Sequence, residues 1–196
     1  SSILIAAGDS ANAAGGSVNV MSGGGESSGN ISMSTAISAT VSGDIEFSTG
    51  KANQESGAVL IESGAGLQES GNVDVIAGDS PMNGGSVSLA AGAGSEGIGG
   101  SVQLETGQSE TGTSGSLLLE TSSGFSTGSI HAKTGVASES SGSVVVETGQ
   151  SATSSAGGIS LTAGESLQGL GGAITMTGGD SAAQTGGSVV LSGGNG

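Results

Sequence analysis

The chain has 196 residues, 17 acidic and two basic, and a formal net charge of −15. Glycine occurs 42 times, the only aromatics are two phenylalanines, and cysteine is absent. This charge excludes ordinary phosphate-backbone binding to nucleic acid. Without cysteine there is no disulfide or thiolate metal site. No apolar run approaches the ~18 residues of a spanning helix, so no membrane span is expected.

A short motif recurs from end to end. It runs from Gly84 to Gly92 as Gly, Gly, Ser, Val, Ser, Leu, Ala, Ala, Gly. Taking the first apolar residue of each copy as position 0, the markers in chain order are Ile3, Val18, Ile31, Ile45, Val59, Val73, Val87, Val102, Leu117, Ile130, Val144, Ile159, Ile174 and Val189. Successive markers are separated by nearly constant gaps, close to fourteen positions each. A fixed short period over a whole chain marks a repeat architecture.

Within a copy, positions 0 and +2 are apolar and their neighbours mostly polar. That alternation predicts a half-buried strand of about five residues. The segment between strands is rich in Gly, Ser and Ala. It is expected to be a return limb, with small residues at +7 lying close to the strand and glycines at corners of positive φ. Ile37, Ala39 and Val41 suggest a second strand in one copy. The sum of these readings is an all-β fold, one single-domain parallel β-solenoid (β-helix) over residues 1–196. It would have about 14 coils, each of about 13–15 residues, and reads as a segment of a longer array. Its core would be ladders of stacked aliphatics: Val18, Val20, Ile45, Phe47, Val73, Val75, Val87, Leu89, Val102, Leu104, Leu117, Leu119, Val144, Val146, Ile159, Leu161, Ile174, Met176, Val189 and Leu191.

In chain order, the copies from Ile3 to Ile31 carry little charge. Asn30, Ile31 and Ser32 form an N-glycosylation sequon, which makes Asn30 a candidate glycan site. The copies from Ile45 to Val73 carry Asp44, Glu46, Glu55, Glu62, Glu69 and Asp74 around Lys51. Carboxylates could chelate Ca²⁺, but these occupy no fixed column. From Val102 to Val144 the +3 column reads Glu105, Glu120, Lys133 and Glu147, a surface ion ladder that contributes little per pair. Leu118 and Val145, at +1 on either side of His131, are candidates for a lateral interface. Thr35, Thr49, Thr106, Thr121, Thr134 and Thr148 gather at +4, expected to face inward or toward a corner.

No nucleophile elbow, zinc motif or phosphate-binding loop occurs in a supporting context. No cofactor is expected, and the chain is read as a non-enzyme. The copies resemble the Gly/Ser-rich β-solenoid repeats of extracellular fibres, surface adhesins and viral fibres. That resemblance implies a scaffold role outside the cell or at its surface, and carries no functional residue with it. Open strand edges at the coil ends would favour head-to-tail self-association into a filament. The alternatives are an ice- or surface-binding solenoid and a calcium-dependent surface adhesin.

Overall fold

The structure is a computed structural model that describes residues 2–194. It overturns the β-solenoid: among the described residues there is no helix and no strand. Two units divide the chain, Ser1–Val102 and Gln103–Gly196. Both are built from the same local device.

Each copy begins with a straight segment around positions 0 to +4, free of turns and bends. The chain then bends sharply once before the next copy, for example at residues 11–13 and 81–82 in the first unit and at 110–112 and 167–169 in the second. Serine at +7 sets these bends. The Ala13 N–H donates to Ser10 Oγ at 3.0 Å, and the Met82 N–H to Ser80 Oγ at 3.2 Å. In the second unit the Gly112, Ser154, Gly169 and Gln184 amides donate to Ser109, Ser151, Ser166 and Ser181 at 2.8 to 3.1 Å. A serine hydroxyl that accepts from an amide two or three residues on builds a local turn. So where +7 is serine it fastens the loop and does not line a return limb, while the bends at 25–27 and 95–97 form with glycine at +7.

The loop is then drawn shut. Every marker from Val18 to Val189 is preceded two residues earlier by glycine. In seven copies this glycine's N–H donates to the carbonyl at +5 of the preceding copy. The first unit holds Gly16 to Gly8, Gly29 to Gly23, Gly85 to Gly78 and Gly100 to Gly92, at 2.9 to 3.0 Å. The second holds Gly115 to Gly107, Gly172 to Gly164 and Gly187 to Gly179, at 2.8 to 3.0 Å. We call this junction the neck. A compact loop whose ends meet resembles an Ω-loop in miniature.

In the seven closed copies the neck explains why no solenoid coil forms. A solenoid coil needs a second limb that crosses back beneath the strand. Here the residues meant for that limb, such as 79–84, close on themselves between Gly78 and Gly85. Only the straight segment is left, and among the described residues no other segment pairs with it. The second strand expected at Ile37, Ala39 and Val41 is likewise absent, because the chain bends at residues 39–40.

The glycines serve a purpose other than the one expected. No described residue has positive φ, glycine included. What most closed necks lack is room for a relaxed Cβ, the neck at Gly29 being the exception. A methyl placed on Gly85 would lie 3.2 Å from Ala77 Cβ and 3.3 Å from the Gly78 nitrogen. On Gly172 it would lie 3.2 Å from both Ala163 Cβ and the Gly164 nitrogen. Carbon atoms normally settle about 3.5–4.0 Å apart, so a side chain at either position would push the two sides of the neck apart by a few tenths of an ångström.

Position +4 is the opposite wall of the neck. Ala7, Ser22, Ala77, Thr106, Ala163 and Gly178 occupy it in six of the seven closed necks, and each is half-buried. Nearly everything else is exposed. Where +4 is Thr35, Thr49, Thr121, Thr134 or Thr148, its side chain stands toward the neck glycine and none of these necks has the backbone bond. Thr148 instead donates its hydroxyl to the Gly157 carbonyl at 3.0 Å. A small +4 residue therefore favours a tight neck, with two exceptions: Thr106 closes although it is a threonine, and the neck at Gly71 stays open although Ser63 is small.

No buried hydrophobic residue exists among those described. The exposed area is 19716 Å², against about 8,000 Å² for a compact protein of this mass. The expected ladder from Val18 to Leu191 is thus a set of exposed side chains and forms no core.

Candidate functional site

The feature that recurs is the straight segment with its apolar pair. Position 0 is the more sheltered member. From Val18 to Val189 its exposure is 49–61%, while apolar residues at +2 range from 56% to 83%. Position 0 lies two residues beyond the neck glycine, which accounts for its partial cover. The outward apolar residues Leu118 and Val145, at 73% and 70%, fall within the range of position +2.

Local geometry supports the period-two reading of side-chain direction. The Gln103 amide at +1 donates to the Glu105 carboxylate at +3, at 2.8 Å. Residues two apart share a side only where the chain is extended. Alternation in the sequence therefore does predict facing, although the strand pairing it usually accompanies is absent.

The remaining sequence-derived sites stay apart. Leu118 and Val145 belong to separate copies, and nothing seats one against the other. Asn30 is exposed beside the neck formed by Gly29 and Gly23. Among the described residues no three carboxylates or histidines gather as a metal site, and no cavity is found. No helix there is long and apolar enough to cross a membrane. The +4 threonines stand at necks and not toward an interior: Thr106 is half-buried, and Thr35, Thr49, Thr121, Thr134 and Thr148 are exposed.

Two features lie outside the apolar reading of the sequence, and both had a signal. Glycine at −2 is constant from Val18 onward. Serine at +7 is visible as a small residue, but its side-chain oxygen is what matters. Both belong to the loop, which a search for apolar periodicity passes over.

No protein-family model, curated protein or solved structure matches the chain.

Proposed function

We propose that the protein is a structural, non-catalytic component that works in many copies, joined through the apolar sides of its straight segments. One observation carries this reading: the aliphatic residue at position 0 is half exposed in copy after copy, with no partner in its own chain. Isolated exposed aliphatics are ordinary, but here one recurs at the same place in each straight segment, so a second chain could cover many of them at once. Completing the burial of one such half-covered side chain contributes about 1 kcal/mol. Summed over the copies of a unit, this is enough to hold chains together.

The net charge of −15 opposes association. Charge repulsion reaches about 30 Å at 0.01 M salt and about 8 Å at 0.15 M. Assembly is thus expected to depend on salt, with monomers prevailing when ions are scarce. This use of the repeat differs from the coil-end stacking of a solenoid, since contact runs along the segments. An extracellular setting, with glycans on Asn30, fits the resemblance to surface and fibre repeats.

Sedimentation velocity across a salt and concentration series tests the proposal. Larger species should appear as either rises. A monomer at every salt and protein concentration refutes a role in assemblies of this chain.

A further inference from the structure

Resting on that reading, we propose that the partner on each straight segment is the same segment of a second copy, parallel and at zero shift. Three observations lead there. Seven backbone–backbone hydrogen bonds, all at necks, are the whole complement among the described residues. A folded chain of this length forms on the order of 130. The straight segments therefore present rows of unpaired N–H and C=O groups, the condition that recruits another strand. In addition, the exposed area exceeds that of a compact protein by several times the roughly 1,600 Å² of a standard interface. A second copy thus has ample surface to cover.

The spacing of the markers, the third observation, selects the copy and its register. Apolar and polar residues alternate, so a slip of one or three residues turns an apolar side chain to the wrong face. Antiparallel copies that match Ile3 to Val189 also match Val18 to Ile174. At that register Ile45 and Val144 miss by three residues, as do Val87 and Val102. A parallel copy shifted by one repeat meets gaps of unequal length, some odd and some even, so odd slips arise again. At zero shift every segment meets its equal. Every loop also meets a loop of its own length, closed or open in the same way. A different protein with other spacings would match a few segments and miss the rest.

Zero shift also sets each carboxylate beside its own copy, at the ~4.8 Å separation of paired strands. Salt dependence is then a property of the register itself.

The absence of cysteine makes the test direct. Ser88→Cys and Ser160→Cys each place a single thiol at +1, one per unit. Paired strands would set identical positions about 4.8 Å apart, within the roughly 4.4–6.8 Å Cα range of a disulfide. Each variant is assembled under reductant at high salt, with assembly confirmed by sedimentation, and is then oxidised. The expected result is loss of the monomer band on a non-reducing gel for both variants, with little cross-linking between the two when they are mixed. Assembly in which neither variant links to itself overturns the register but leaves self-association standing. So does assembly in which linking occurs mainly between the two variants. Failure to sediment as larger species overturns self-association itself.

Discussion

The neck makes its sharpest prediction at Gly85. Its N–H donates to the Gly78 carbonyl at 2.9 Å, and an added Cβ would lie 3.2 Å from Ala77 Cβ. To restore a normal carbon–carbon separation the two sides of the neck must part by a few tenths of an ångström. That stretches the hydrogen bond to the edge of good geometry or past it. Gly85→Ala is therefore expected to cost about 1 kcal/mol, the net contribution of one such bond. The chain has no core to unfold as a unit, so the effect is local and is read by amide hydrogen exchange. Protection of the amide at 85 should fall about five-fold, after correction for the intrinsic rate of alanine. Adding Ala77→Gly removes the nearest obstacle and should restore part of the protection. Recovery is incomplete because the Gly78 nitrogen still lies 3.3 Å from the new methyl. Gly92→Ala is the control. Nothing lies within 4 Å of its Cβ and its φ is not positive. It should leave the Gly100 amide as protected as before, or slightly more so, because alanine narrows the unfolded ensemble. The reasoning is refuted if Gly85→Ala exchanges no faster than the parent. Equal disruption of the neck by Gly92→Ala would refute it as well.

Two further substitutions probe the loop and the opposite wall. Ser166→Ala removes the acceptor 2.8 Å from the Gly169 amide. Exchange at Gly169 should rise several-fold, corresponding to about 1 kcal/mol; an unchanged rate would mean that the hydroxyl does not shape the turn. Thr134→Ala tests the size rule at +4. Gly135 and Gly142 are separated by as many residues as Gly78 and Gly85, which close behind Ala77. The Gly142 amide should gain protection when the threonine methyl and hydroxyl are removed, and a neck that stays open would show that loop sequence governs closure.

The sequence by itself determined the period, the apolar pair at 0 and +2 and the facing of neighbouring side chains. All three are local consequences of alternation, and the Gln103–Glu105 contact shows the last directly. It also contained the neck glycine and the turn serine, although the apolar pattern draws attention away from them. What covers Val87, Val102 or Ile159 was a question of a different order. Alternation states that one side of a segment is apolar, and does not state which surface comes to meet it. That depends on where the loop leads the chain. A residue such as Thr153 or Ala182 looks the same in a return limb as in a closed loop, because both favour small polar side chains. Only the tertiary structure decided between them. In seven copies it joins the −2 amide to the preceding +5 carbonyl and so commits the connecting residues to a closed loop, and among the described residues no straight segment pairs with another.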